Sequence, residues 1–319
     1  MRPIYAPENL VILQIMVGET NLPRIIVIVG PTASGKTDLG IKLAKKFNGE
    51  IVSADSRQIY RGMDTGTAKP PKHERGGTPH YLIDIRNPNE DYSVAGFKKD
   101  ATAAIKKILH RKKLPILVGG TGLYVKTVVD NLNIPAVKAD PLLRKKLEKE
   151  IDHNGLGRLF QKLIELDPEA AYIVDPKNPR RVIRALEVAL KTKKPFSATQ
   201  KTGPPPFSTL KIGLRPTKEI LKKKIEARAE QMFKNGLVKE VEKLVKKYGS
   251  DHKAFDAIGY REIVDYLDGK ITLGEAEELV KKNTWHYAKR QMTWFKKDKE
   301  IHWVKPGREP LTLLRKFLS

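Results

Sequence analysis

The 319-residue chain contains no cysteine. Disulfides, thiol nucleophiles and cysteine-based metal centres are therefore excluded, and a reducing compartment, the cytoplasm, is expected. Long apolar runs are missing as well. No stretch reaches the ~18 residues that a membrane-spanning helix needs, so no membrane partner is expected. The apolar segment Leu10–Val17 is short and lacks a small-residue cleavage site. It reads as part of an N-terminal extension over residues 1–23, with Met16 an alternative start to Met1. Acidic residues are scarce: 37 Asp+Glu stand against 61 Lys+Arg, a formal net charge of +24. A thermally adapted surface rich in Lys and Glu explains many charges, but not a large excess of one sign. A polyanionic partner, nucleic acid above all, is the expectation. What remains, 40% hydrophobic residues over this length, suits a large α/β domain with a second one inserted or appended.

The segment Arg24–Val29 reads RIIVIV, a continuous β-branched run that predicts a buried parallel strand. A helix follows to Phe47 and ends at Asn48-Gly49. Further strands are predicted at Ile51–Ala54, Leu82–Ile85 and Pro115–Val118, with a helix over Val94–Leu109. Alternation of strand and helix predicts a doubly wound parallel sheet. From about Ile134 to Pro206 only helix signals occur. Asp140-Pro141, Asp167-Pro168 and Asn178-Pro179 each open a helix, and Gly155 is expected to end the first. KTGPPP at Lys201–Pro206 marks the return to the main domain, with Lys211–Leu214 a further core strand. The C-terminal third is helical, with stops at Gly236, Gly249 and Gly269. A capping box at Thr272 and Glu275 opens a long helix to about Lys297. The expected organisation is a P-loop NTPase-like α/β core over 24–133 and 207–319, with C-terminal helices, interrupted by a helical domain over 134–206.

GPTASGKT, at Gly30, Pro31, Thr32, Ala33, Ser34, Gly35, Lys36 and Thr37, matches the phosphate-binding loop between a strand and a helix. Its glycines let successive N–H groups turn toward phosphate oxygens, and the helix N-terminus adds partial positive charge. Lys36 is expected at the terminal phosphate and Thr37 at Mg²⁺. The loop holds a diphosphate or triphosphate without choosing the reaction. Asp55 stands at the end of the second strand, where open α/β sheets gather ligands, and suits a general base or a polar N-cap. Ser56 and Gln58 beside it suit a nucleobase edge. Thr121, in VGGTGLY, is either a ligand hydroxyl or part of a strand-to-helix turn. In NPRRVIRALE, Ile183, Leu186 and Leu190 are expected as the buried stripe. Arg180 and Arg184 share the other side, as phosphate contacts or as a solvated face paired with Glu187. Arg290, Gln291 and Trp294, with His286, lie on one helix and suit an RNA clamp or a core stripe.

GPTASGKT, SADSRQIYRGMDTGTAKP, PHYLIDI, VGGTGLY, NPRRVIRALEV, IEARAEQMFKNGL, AIGYRE and KRQMTWF follow one another from about Arg24 to Val304. Together they resemble the tRNA dimethylallyltransferases, also called tRNA isopentenyltransferases. The resemblance implies transfer of a dimethylallyl group from dimethylallyl diphosphate to N6 of the adenine 3′ of the anticodon, with Mg²⁺ and release of pyrophosphate. It implies that Asp55 is the general base, that Thr121 touches substrate, and that Lys36 and Arg228 clamp the diphosphate. It further implies tRNA contact, at the anticodon stem-loop, by Asp55, Ser56, Arg57 and Gln58, by Arg180, Arg181, Val182, Ile183 and Arg184, and by Arg144, the inserted domain being tRNA-contacting. A monomer is expected. Many relatives carry Met or Ser where Gly122 stands, and no functional change is expected from the glycine. Without cysteine the chain cannot carry the zinc finger that some eukaryotic relatives append. The rival readings are an adenylate isopentenyltransferase acting on free AMP or ADP, a P-loop nucleotide kinase, and a non-catalytic RNA-binding protein. The +24 charge, the paired arginines and RQMTWF favour tRNA.

Overall fold

The computed structural model describes residues 22–135, 137, 139–200 and 202–319. The expectations about Leu10–Val17 and Met16 lie outside them. Strand β1 (Arg24–Val29) is buried along its length and leads through the glycine loop into helix α1 (Lys36–Lys46). Then come β2 (Gly49–Ser53), β3 (His80–Tyr81), α2 (Val94–His110), β4 (Leu114–Val118) and α3 (Gly122–Val129). The inserted stretch holds α4 (Pro141–Leu166), the short α5 (Ala170–Ile173) and α6 (Pro179–Thr192). The chain returns with β5 (Ser208–Leu214), α7 (Lys218–Lys234), α8 (Leu237–Tyr248), α9 (Tyr260–Leu267), α10 (Leu273–Phe295), β6 (His302–Val304) and α11 (Leu311–Leu318).

The six strands form one parallel sheet in the order β3-β2-β4-β1-β5-β6. A parallel sheet must be covered on both faces, and the two-residue period of β1 divides its side chains accordingly. Ile25, Val27 and Val29 pack with Phe97, Ile105 and Val128 of α2 and α3. Ile26 and Ile28 pack with Leu39 and Leu43 of α1 and with Leu314 and Leu318 of α11. Phe97 and Tyr124 stack with ring centroids 3.9 Å apart, fastening α2 to α3. A third cluster joins Ile59 and Met63, after β2, to Leu237, Val241, Phe255 and Tyr260. The chain passes from β1 to β2 and comes back to β4 between them. The crevice at the carboxyl ends of these strands is therefore the natural ligand site.

Several expectations are corrected. Leu82–Ile85 is no strand: β3 is only His80–Tyr81, and Leu82 (φ 63°) and Asp84 (φ 57°) break the extended backbone. The Ile85 N–H instead donates to the Ile59 carbonyl at 2.8 Å. Gly155 (φ 77°, ψ 157°) has non-helical backbone and, as expected, ends the first helical stretch of α4, a second stretch following across the kink. Asp167-Pro168 yields only the single turn of α5, because the buried Asp167 carboxylate is taken by the backbone N–H and hydroxyl of Ser197 at 2.8 and 2.7 Å. Leu190 is 41% exposed and so does not belong to the buried stripe of α6.

Residues Asp130–Pro205 form one compact unit, and the remainder of the chain forms the other. The smaller unit has its own core, in which Leu147, Leu159 and Leu163 meet Val182, Ala185 and Leu186. One charge lies inside it. Glu187 is fully buried and accepts from both sides of the Arg144 guanidinium (2.9 and 2.7 Å), from Arg184 (2.5 Å) and from the Asp140 N–H (2.7 Å). Burial alone would raise its pKa, but these donors outweigh burial and hold the carboxyl at about 2. Glu187→Ala should lower unfolding stability by about 3–5 kcal/mol, because it removes the buried carboxylate that Arg144, Arg184 and the Asp140 N–H share, as guanidinium denaturation will measure. The sign with pH follows from the depressed value. The contribution is complete above pH 4.5 and is lost as pH falls toward 2.

Candidate active site

The phosphate-binding loop begins where β1 ends. Gly35 has φ 89°, a left-handed conformation that side chains disfavour, and it starts α1 without a side-chain cap. The Ser34 side chain is buried, and its Oγ has no hydrogen-bond partner among the described residues. Lys36 Nζ donates to the Pro31 carbonyl at 2.6 Å. Burial first, and the neighbouring Arg228 guanidinium second, lower the Lys36 amine to about 7, with Asp55 acting in the opposite sense. Burial likewise lowers Arg228, opposed by Asp38 and Asp55. Two cations, Lys36 and Arg228, thus lie near Asp55, with the exposed Asp38 of α1 close enough to act on Arg228. Asp38 was not foreseen in that group.

Asp55 follows β2. Its Oδ1 accepts from the N–H groups of Arg57 (2.8 Å) and Gln58 (3.3 Å), which fixes the carboxylate in a tight turn. Its Oδ2 takes no hydrogen bond among the described residues. Thr121 Oγ1 accepts from the Ser56 N–H at 3.1 Å, joining the end of β4 to the same turn. A cavity of about 310 Å³ opens here. Its polar wall includes Thr32, Asp55, Ser56, Arg228 and Arg290, and its apolar wall Ile225, Ala229, Met232, Ile258 and Val280. Lys36 and Thr121 do not line it. Lys36 meets it through Arg228 and Asp55, and Thr121 through Ser56.

Helix α10 closes the site. Tyr287 lines the cavity, and burial first, then the Asp55 carboxylate, push its hydroxyl up to about 12. At neutral pH it keeps its proton, and it is hydrogen-bonded to the Thr121 side chain. The sequence reading missed Tyr287, although its place three residues before Arg290 and seven before Trp294 puts it on the face already singled out. Gln291 is corrected. It is buried, its Oε1 accepts from the Thr32 N–H at 2.7 Å, and its Nε2 donates to the Gly120 carbonyl at 2.8 Å. Buried with its amide engaged at both ends, it joins the loops after β1 and β4 instead of clamping RNA. A Cβ at Gly120 would lie 2.2 Å from Gln291 Nε2, so the approach needs a glycine.

Other expected contact residues are also engaged internally. Arg57 donates to the Lys253 carbonyl at 2.7 Å, and Gln58 reaches Ser53 and Thr67. Val182 and Ile183 are in the core of the smaller unit, where they hold α6 and present no side chain for contact. Arg180 and Arg181 are exposed, while Arg144 and Arg184 are half-exposed with Glu187 between them. At Gly122 a Cβ would stand 2.2 Å from the Trp294 indole, so a larger residue there requires the indole to lie differently.

Two measurements check this geometry. Gln291→Leu leaves a buried N–H and a buried carbonyl unpaired and should cost on the order of 2–4 kcal/mol in chemical denaturation. Lys36 is charged only below about 7 in the free protein, and an anion favours its charged form. Calorimetric affinity for methylenediphosphonate should therefore weaken as pH rises through 7, beyond the titration of the ligand itself. That component should vanish in Lys36→Met.

The chain matches the family model described as IPP transferase over residues 58–298. It is 46% identical over 293 residues to a tRNA dimethylallyltransferase of Pelotomaculum thermopropionicum, covering 91% of this chain and 93% of that one. It is 48% identical over 287 residues to one of Acetivibrio thermocellus, covering 89% and 92%. Among solved structures it is similar to the tRNA isopentenylpyrophosphate transferase of Bacillus halodurans, with TM-score 0.68 and 42% identity over 92% of this chain and 94% of that one. It is also similar to a eukaryotic dimethylallyltransferase acting on tRNA, with TM-score 0.73 and 29% identity over 91% and 75%. The family match covers more than half of the chain, and the chain, built on a P-loop NTPase-like core, belongs to the IPP transferase family.

Proposed function

We propose that this protein transfers a dimethylallyl group from dimethylallyl diphosphate to N6 of the adenine 3′ of the anticodon in tRNA and releases pyrophosphate. The observation that carries the reading is the single cavity in which Asp55 and Arg228 face an apolar wall of Ile225, Met232 and Val280. A kinase site has no need of an apolar wall beside its phosphates, whereas an allylic group does. The diphosphate sits on the loop N–H groups with Lys36 and Arg228, which stabilise charge as the C1–O bond breaks. The buried, unpartnered Ser34 Oγ suits a phosphate oxygen. As C1 bonds to N6, the N6 proton passes to the free Oδ2 of Asp55, whose Oδ1 is fixed by the turn. Tyr287 and Thr121 orient the adenine or the carboxylate beside it.

Mg²⁺ fits these residues. No group of three or more His, Cys, Asp or Glu able to hold a metal occurs among the described residues. That suits a cation that takes most ligands from phosphate and water, with Thr37 supplying a hydroxyl. When bound, Mg²⁺ neutralises charge on the diphosphate. The substrate RNA is an anticodon stem-loop, with the exposed Arg180 and Arg181 and the half-exposed Arg144 and Arg184 offered to its phosphates. One chain supplies all of these groups, in keeping with a monomer acting in the cytoplasm. No described helix is long and apolar enough to cross a membrane.

Incubation of unmodified tRNA with dimethylallyl diphosphate and Mg²⁺, followed by mass analysis of its nucleosides, should give N6-dimethylallyladenosine. Preferential turnover of free AMP would favour the adenylate reading instead. Asp55→Ala should lower turnover by about 10²–10⁴, the usual worth of a general base, with little change in tRNA affinity. Near-normal turnover of that variant would remove Asp55 from the role.

A further inference from the structure

The segment 64–69 forms part of the cavity wall through Gly66, Thr67 and Ala68, and it belongs to no helix or strand. It turns on itself where the Lys69 N–H donates to the Asp64 carbonyl at 3.0 Å. Side chains hold it to the rest of the protein. Glu240, in the first turn of α8, accepts from three successive backbone N–H groups, those of Asp64 (3.2 Å), Thr65 (2.8 Å) and Gly66 (3.2 Å). The Tyr260 hydroxyl, at the start of α9, donates to the same carboxylate at 2.5 Å. Tyr260 is fully buried. Burial first, then the Glu240 carboxylate, push its hydroxyl far above the ordinary value, so it stays a donor.

The far end of the segment is also fastened. Lys69 is buried, and its Nζ donates to the carboxylates of Asp64 (2.6 Å) and Asp84 (2.5 Å) and to the Tyr60 carbonyl (2.8 Å). Gly66 lies so close to the Tyr260 ring that a Cβ there would be 2.4 Å from it. Between these fastenings the segment reaches toward Asp55. The Thr67 carbonyl accepts from Gln58 Nε2 at 3.4 Å, and the Gln58 N–H donates to Asp55 Oδ1 at 3.3 Å. Gln58 Oε1 is fixed in turn by the Ser53 hydroxyl at 3.3 Å. A chain of hydrogen bonds thus runs from α8 to the Asp55 carboxylate, although Glu240 itself does not line the cavity.

We propose that Glu240 is a positioning residue for the prenyl transfer: its carboxylate fixes the 64–68 wall and, through Thr67 and Gln58, the direction of Asp55. The proposal rests on Asp55 being the base, and it adds the side chain that aims it. A carboxylate suits the task because both of its oxygens only accept, and the segment offers only donors. An amide in its place would turn N–H groups toward N–H groups. With the wall released, Asp55 Oδ2 shifts relative to the reacting amine, and a displacement of about 1 Å costs up to about 100-fold in rate. The diphosphate is held elsewhere, on the P-loop, Lys36 and Arg228, so its binding does not depend on Glu240.

The test uses the full chain, an anticodon stem-loop RNA, dimethylallyl diphosphate and Mg²⁺. Single-turnover rates at saturating substrate are measured for the parent, Glu240→Gln, Glu240→Asp and Tyr260→Phe. Each substitution is also made in an Asp55→Ala background, and all rates are taken at a temperature where circular dichroism shows the variants folded. Glu240→Gln should slow transfer about 10- to 100-fold and leave methylenediphosphonate affinity unchanged. Glu240→Asp keeps the acceptors and should recover part of the loss. Tyr260→Phe removes one donor, keeps the ring under Gly66, and should show a smaller loss of the same kind; it carries the test if Glu240→Gln does not fold. In the Asp55→Ala background the same substitutions should add little, since a group that acts through Asp55 has nothing left to aim. A purely structural role would slow both backgrounds alike. Losses that multiply in full in that background, or a Glu240→Gln rate near the parent's, would overturn the role of Glu240 alone. An Asp55→Ala rate near the parent's would remove Asp55 as the base, and the positioning role with it.

Discussion

Gln291 is one residue deep in a helix, yet its amide joins the two loops on which the site depends. One end accepts from Thr32 in the phosphate-binding loop, and the other donates to Gly120 at the end of β4. The loops lie on neighbouring strands, but strand pairing stops at Val118, before either loop begins. One more bond, from the Gly119 N–H to the Ile28 carbonyl at 3.1 Å, follows. Beyond it the buried amide joins the loops and ties both to α10. Tyr287 and Arg290 on the same helix are thereby held at the cavity wall. A glutamine suits the task because a single planar group supplies both a donor and an acceptor.

The second constraint is electrostatic. Lys36 and Arg228 are enclosed near each other, which lowers the amine of Lys36 to about 7. Like charges in such a place are unfavourable unless anions accompany them. Asp38 and Asp55 offset part of the cost. The smaller unit uses the opposite arrangement. There a buried carboxylate, Glu187, gathers Arg144 and Arg184 and fixes their guanidinium groups. Pre-ordered arginines lose less freedom on binding a phosphate than free surface side chains do.

The sequence was legible where local chemistry decides structure. RIIVIV became a buried strand because every residue is apolar or β-branched, and GPTASGKT became the turn that its glycines permit. Asn178-Pro179 and Thr272 with Glu275 began helices because their caps satisfy N–H groups within one turn. Legibility failed where partners are distant. Leu82–Ile85 has strand composition, but the Ile59 carbonyl claims its backbone. Asp167-Pro168 has a helix-start signal, but Ser197 claims the carboxylate. Gln291 and Trp294 looked equivalent as helix-face residues. Only the places of Gly120 and Gly122 beneath them separate a buried bridge from a partly exposed ring.

By itself, then, the order of residues determined the strand-loop-helix of the P-loop, the strongly basic character of the chain, and the family motifs. Those properties reside in short segments or in composition, so no fold is needed to see them. The tertiary structure decided which side chains face one another: Tyr287 toward Asp55, Arg228 beside Lys36, Glu187 between two arginines, and an apolar wall drawn from α7 and α10. Such pairings join residues far apart in the chain. Their energies depend on burial and on distances that only the packed sheet and helices set, because desolvation and Coulomb interaction vary steeply with both.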